Sequence, residues 1–216
     1  MQASIQPVIT WSKNRIFAGA VQNLELLVEW SGSNHNQDFR KKSRKVAAQG
    51  VELKIWLESH MTLIGCHGCK PETGEGGSHL FKLGKIHSGA RRFIGLRFTT
   101  GAMPAGIHEA LWMQWQYKQP PAERIRELPL NKLSLEYTHH TDILHAAGCF
   151  HVEKHMELLK TAEAMEALAA LRSREPNRKA YEKLRRQADK VLLLAVRSGD
   201  LQLVKEAELL YRQLNL

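Results

Sequence analysis

"CFHVEKHMELLKTAEAMEAL", residues 149 to 168, is where the apolar pattern of this chain changes period. Downstream, Met156, Leu159, Ala162, Met165 and Leu168 recur at three-residue steps beside alanines, the residues of highest helix propensity, so a helix is expected. Upstream the period is two. Leu24, Leu26 and Val28; Val51, Leu53, Ile55 and Leu57; Ile94, Leu96 and Phe98; Leu111, Met113, Trp115 and Tyr117; and Leu133, Leu135 and Tyr137 each alternate with other residues, as half-buried strands do. Between these runs lie "KPETGEGG" (70 to 77), "HSGA" (87 to 90) and "TGAMPAG" (100 to 106), in which glycine supplies positive φ and proline ends strand pairing. Short strands at this spacing predict an antiparallel β-sandwich over residues 1–154 and an α-helical appendage over 155–216.

The appendage divides further. "REPNRKAYEKL" (174 to 184) interrupts the first helix, and Pro176 suits the first turn of the next. Leu184, Ala188, Val191, Leu192 and Ala195 then mark one apolar face. Gly199 reads as a C-terminal stop and Asp200 as an N-cap, after which Leu201, Val204, Leu209 and Leu214 predict a last short helix. The expected tail is a helical hairpin or small bundle, too short to form a solenoid.

The whole sequence has 216 residues and a formal charge of +9, from 31 basic and 22 acidic side chains. That length can bury a proper core. No run reaches the roughly 18 apolar residues of a membrane span, and the first residues lack the apolar centre of a secretory signal. Cys66, Cys69 and Cys149 cannot all pair within the chain, so a reducing compartment is expected, and with it a soluble, cytoplasmic protein.

A family resemblance is carried by "LFKLGKIHSGARRFIGLRFTTGAMPAGIHEALWMQWQY" (80 to 117). It resembles the β-sandwich that accompanies von Willebrand factor A domains in bacterial proteins of inter-α-trypsin-inhibitor-like type. There an "LG-x-[IL]-x-x-G-x-x-R" turn joins two strands and a later strand ends in an aromatic residue. Leu83, Gly84, Ile86, Gly89, Arg92 and Tyr117 occupy those positions, and "VRSGDLQLVKEAELLYRQL" (196 to 214) is similar to the helical end of such proteins. The A domain itself is missing. Its alternating strands and helices need a full domain length, and residues 34 to 50 offer room for one short helix at most. The resemblance therefore implies a non-catalytic interaction or scaffolding module whose partners are proteins, a separately encoded A-domain protein among them.

"VEWSGSN" (28 to 34) is similar to the start of the A-domain cation motif, D-x-S-x-S, with Glu29, Ser31 and Ser33 in the motif positions. Magnesium needs several oxygen ligands converging from separate loops, and no acidic turn elsewhere completes the shell. Glu29 is also a methylene longer than aspartate. The segment reads as a strand running into a turn at Gly32.

Two alternative sites remain. Cys66 and Cys69 in "GCHGCKP" have C-x-x-C spacing, and with Cys149 and either His145 or His151 they could form a tetrahedral zinc site. The basic run "RKKSRK", with Arg40, Lys41, Lys42, Arg44 and Lys45, could contact nucleic acid or another anion. The aromatics Trp112, Trp115 and Tyr117 are assigned to the core rather than to a stacking platform. His139, His140, His145, His151 and His155 crowd one segment without a metal-site pattern. No nucleophile motif, phosphate-binding loop or placed carboxylate pair is present, and "TGEGGS" lacks the Lys-Ser/Thr and helix that a phosphate cradle requires. The chain is therefore not expected to be an enzyme, and no cofactor is expected apart from zinc in the alternative reading.

Overall fold

The computed structural model describes residues 4–32, 45–121, 124–171 and 178–214. The chain is mainly β with an α-helical tail and divides into two compact units, Met1–Cys149 and Phe150–Leu216.

The first unit is a two-sheet sandwich. Its strands are β1 (Ile5–Trp11), β2 (Arg15–Phe17), β3 (Gln22–Gly32), β4 (Val46–Leu57), β5 (Met61–His67), β6 (Glu72–Thr73), β7 (His79–His87), β8 (Arg91–Thr100), β9 (Gly106–Lys118), β10 (Ile125–Glu127) and β11 (Asn131–Thr138). One sheet has the order β1-β3-β8-β5; the other runs β2-β11-β9-β4-β7-β6, with β10 also paired to β9. Pairing is antiparallel except between β2 and β11, which run parallel.

Alternation explains the core. Leu24, Leu26, Val28 and Trp30 of β3, Ile94, Leu96 and Phe98 of β8, Val51, Leu53 and Ile55 of β4, and Met113, Trp115 and Tyr117 of β9 all enter the buried cluster between the sheets. Residues two apart point to the same face, so each run buries one side and leaves the other for outward groups. Each large apolar side chain buried this way contributes about 1.5–3 kcal/mol.

The motif that carries the family resemblance forms a corner between sheets. Leu83, Gly84 and Ile86 belong to β7 in the larger sheet, Gly89 lies in the turn, and Arg92 belongs to β8 in the smaller one. This corner docks on the end of β3, where Gly32 N–H donates to the Ala90 carbonyl (3.1 Å) and Gly89 N–H donates to the Gly32 carbonyl (3.0 Å). A Cβ at position 32 would collide with the His87 carbonyl oxygen. Gly32 is thus fixed by close backbone approach, and "EWSG" (29 to 32) and "LGKIHSG" (83 to 89) meet here.

A four-residue helix, α1 (Asp142–His145), closes the first unit. The second unit has three longer helices, α2 (Phe150–Leu171), α3 (Arg178–Ser198) and α4 (Leu201–Leu214). Their shared core holds Ala164 and Leu168 of α2, Leu184, Ala188, Val191, Leu194 and Ala195 of α3, and Leu203, Ala207 and Leu210 of α4.

The buried faces differ from the expected ones in detail. On α2 Ala162 is exposed and Ala164 is buried. Steps of three fall about 60° short of a full turn each time in a helix of 3.6 residues per turn, so the five expected residues spiral off a single face. On α3 Leu194 takes the place expected for Leu192, which is 38% exposed. Around the helix Leu194 lies about 60° from Val191, on the side away from Ala195, whereas Leu192 is turned about 100° away from Val191. On α4 the face is Leu203, Ala207 and Leu210, and Leu201 and Leu209 point outward.

Polar groups lock the helices together. Gln187 donates to the Glu157 carboxylate (2.9 Å) and carbonyl (3.2 Å) and to Thr161 Oγ1 (3.3 Å), joining α3 to α2. Asp200 caps α4 by accepting from the N–H groups of Gln202 (2.9 Å) and Leu203 (3.2 Å), and also accepts from Lys154 Nζ (2.6 Å). Gly199 ends α3 with φ of +68°, a value that favours glycine.

Candidate functional site

Glu29 lies within β3, and Arg91 Nη1 stands 3.5 Å from its Oε1. Arg91 and Gln6 are also the strand partners of Ser31, one from each neighbouring strand. A carboxylate already facing a guanidinium is a poor start for a cation shell, because a metal ion would have to displace or face that charge. Ser33, the third residue of the motif, lies outside the described residues.

Cys66 falls near the end of β5 and Cys69 in the turn after it, and both are half-buried. Cys69 Sγ makes weak hydrogen bonds to the carbonyls of Lys70 (3.6 Å) and Lys82 (3.7 Å), which tie the turn to β7. Burial, and then the charge of Glu72, push the Cys69 thiol above its ordinary value. That favours the protonated thiol over the thiolate that zinc or nucleophilic chemistry requires. Cys149 N–H donates to the Ser12 carbonyl (2.8 Å). Among the described residues, no three His, Cys, Asp or Glu side chains gather closely enough to hold a metal ion.

The histidines serve separate contacts. His139 meets Phe17 edge-on at 6.3 Å, His145 is exposed at the end of α1, and His151 and His155 stack edge to face at 4.5 Å on α2. Arg40, Lys41, Lys42 and Arg44 of the basic run lie outside the described residues. Lys45 precedes β4, and its carbonyl accepts from Ser88 N–H (3.0 Å).

Among the described residues, two concave regions of the sandwich unit stand out. The larger, about 600 Å³, lies among the end of β1, the Ser12–Asn14 turn and the segment from Asp142 to Cys149. Trp11 forms part of it, packed edge-on against Phe98 at 5.8 Å. Ser12 Oγ, the hydroxyl nearest a catalytic type, is occupied as the acceptor of Glu25 N–H (3.0 Å), and no histidine lines the region.

The smaller, about 430 Å³, lies on the outer face of the larger sheet and is lined by Trp56, Leu57, Glu58, Trp112, Gln114 and Leu130. Trp112 therefore does not belong to the core with Trp115 and Tyr117. The parity of the numbering carries the signal: Leu111, Met113, Trp115 and Tyr117 are odd, and residue 112 must face the other way.

A third exposed feature belongs to the helical unit. Leu192, Leu193 and Val196 form an outward stripe on α3 at helical spacing, with Leu193 71% and Val196 75% exposed. Leu201 and Leu209 add exposed apolar surface on α4. Among the described residues no helix is long and apolar enough to cross a membrane.

Neither a family model nor a curated protein matches the sequence. Solved structures do match the fold. The ArnB paralogue VWA2 from Sulfolobus acidocaldarius aligns over 95% of this chain and 93% of its own, with a TM-score of 0.58 and 8% identity. A von Willebrand factor type A protein from Catenulispora acidiphila aligns over 73% of this chain with a TM-score of 0.52 and 19% identity, and the chain spans 38% of that protein's length. The likeness, which lies in the fold alone, is to proteins of von Willebrand factor A type.

Proposed function

We propose that this chain is a non-catalytic protein-interaction module, equivalent to the accessory sandwich and helical tail of von Willebrand factor A proteins and acting with an A domain on a separate polypeptide. The outward stripe of Leu192, Leu193 and Val196 carries the reading. These side chains stand on a helix whose opposite face already fills the bundle core, so the stripe is surplus to the fold of its own unit. Apolar groups grouped this way on a surface mark contact sites. The similarity in fold to two proteins of A type supports the choice of partner. Three cysteines that cannot all pair within the chain support a cytoplasmic setting for it.

The test is cross-linking of the full chain in its native cell, with the Leu193→Glu/Val196→Glu variant in parallel. Recovery of an A-domain protein with the unaltered chain and its loss with the variant is the expected result. Recovery of no A-domain protein, or equal recovery with both chains, refutes the proposal. Elemental analysis of the same preparation decides the zinc alternative, and stoichiometric zinc would move the function to Cys66, Cys69, Cys149 and His151. Salt-sensitive retention on polyanions would move it to the basic run.

A further inference from the structure

The groove on the outer face of the larger sheet has a chemistry of its own. Trp56 of β4 and Trp112 of β9 are direct cross-strand partners, and side chains so placed have Cβ atoms about 4.5–5.5 Å apart. Each indole is held. Trp112 Nε1–H donates to Glu109 Oε2 (2.9 Å), and Trp56 Nε1 lies 3.7 Å from where a Cβ on Gly76 would stand, so the Glu75–Gly77 turn packs beside it.

Trp112 already binds a cation. Lys132 Nζ sits 4.3 Å from the centroid of its ring, and the same ammonium is paired with Glu109 Oε1 (3.2 Å). Lys132 comes from β11, on one flank of β9, whereas Trp56 stands on β4, on the other. Lys132 is not among the residues lining the groove, which leaves a second approach to the indole pair from the β4 side.

The remaining lining is one carboxylate, one amide and two leucines. Glu58 is half-buried, and among the described residues its carboxylate makes no hydrogen bond or ion pair; the charge it acts on is His60. Burial, and then the neighbouring His108, hold the His60 ring below its ordinary value and so mostly neutral near pH 7, leaving the Glu58 charge unmatched. Gln114 donates its amide N–H to Glu127 (3.2 Å), so its carbonyl oxygen remains an acceptor. Leu57 and Leu130 complete an apolar wall. Lys54, opposite Gln114 in the next row, does not line the groove.

From this arrangement we infer that the groove formed by Trp56, Trp112 and Glu58 is a binding site for a small quaternary ammonium compound of the choline type. Indole faces attract an alkylated cation within about 6 Å of the ring, and burial of its methyl groups adds apolar contact. Glu58 supplies the counter-charge, Gln114 accepts from the ligand hydroxyl, and a volume of about 430 Å³ suits a small ligand. A bare ammonium is bound less well, since it loses more hydration and brings no methyl groups.

The experiment is an NMR titration of the full chain followed through the five tryptophan indole signals, two of them assigned by Trp56→Phe and Trp112→Phe. Choline chloride is the probe, and 3,3-dimethylbutan-1-ol, its neutral carbon isostere, is the control. The expected result is saturable movement of the Trp56 and Trp112 signals by choline, with the isostere weaker by roughly tenfold, the scale of a cation–π contribution. Glu58→Gln should weaken choline several-fold while leaving the melting temperature unchanged. Equal binding of the isostere, unmoved Trp56 and Trp112 signals at tens of millimolar choline, or a Glu58→Gln chain that binds as before would each overturn the assignment.

Discussion

The sandwich and the helical unit solve the same problem with different materials. The sandwich fills its core with large side chains drawn from distant parts of the chain: Trp115, Tyr117, Tyr137, Phe81 and Phe98 are almost fully buried. The helical unit fills its own with leucine, valine and alanine, and adds polar ties through Gln187 and Asp200. Their surfaces differ as well. Several exposed apolar residues of the sandwich, such as Val8, Val21 and Ile64, stand on separate strands or turns, whereas those of α3 form a stripe. Single exposed apolar residues are ordinary, whereas a stripe at helical spacing is the kind of surface on which contact sites are built. The proposed contact surface therefore belongs to the helical unit rather than to the sandwich.

The largest expected effect is in the sandwich. Trp115→Ala removes a ring that is 1% exposed and packs against Trp30 at 5.8 Å, and it should cost about 3–5 kcal/mol in denaturant unfolding. A loss below about 1 kcal/mol would mean that the inter-sheet core is not what holds this unit together.

Next comes a pair of substitutions within one helix. Leu184→Ala, at a fully buried site, should destabilise by about 2–5 kcal/mol, while Leu193→Ala, 71% exposed, should stay within about 0.5 kcal/mol. Equal costs in differential scanning calorimetry would abolish the distinction between core and contact face on α3.

Acid should separate the two units. Burial, and for His60 also His108, holds His60 and His79 of the sandwich below the ordinary histidine value of 6.5. Their neutral forms are favoured by folding, so that stability is present above pH 6.5 and is lost as pH falls through the lowered values. In the helical unit, burial opposes ionisation of Glu157, but hydrogen bonds from Lys160 and Gln187, with the charges of Lys160 and Lys190, outweigh it and hold the carboxyl down. The hydrogen bond from Lys154 does the same for Asp200, with the two backbone N–H groups assisting. These carboxylates contribute above the ordinary values of 4.5 and 3.8, and their contribution fades only as pH falls through the lowered ones. Tryptophan fluorescence, which reports the sandwich because all five tryptophans lie there, should lose thermal stability at a higher pH than the helical signal at 222 nm. His60→Gln should flatten the first loss and Asp200→Asn the second.

The smallest effect concerns the cation motif. Because Glu29 already faces Arg91, millimolar magnesium or manganese should leave the melting temperature unchanged, and Ser31→Ala should not alter that. A saturable rise abolished by Ser31→Ala would make the end of β3 a metal site.

The alternating runs were legible because a strand facing one core must repeat every two residues, and the same parity identifies Trp56 and Trp112 as outward residues beside inward odd-numbered neighbours. β1, β2 and β5 were less legible, since their strand character depends on pairing with β3, β11 and β8, far away along the chain. In the tail, Gly199 and Asp200 announced a helix boundary through local chemistry alone. The buried faces of α2, α3 and α4 were only partly legible. Leu192 and Leu194, or Leu201 and Leu203, are equally apolar, and only the neighbouring helix selects which of each pair is covered.

By itself the sequence determined a β-rich sandwich followed by helices, with the change of period near residue 150, because periodicity and capping are properties of a few consecutive residues. Tertiary structure alone decided which strands share a sheet, that the β7–β8 corner rests on Gly32, that Glu29 faces Arg91, and that two tryptophans 56 positions apart in the chain wall one groove. The physical reason is that these are contacts between residues remote in sequence, chosen by strand order and register, which no local pattern encodes.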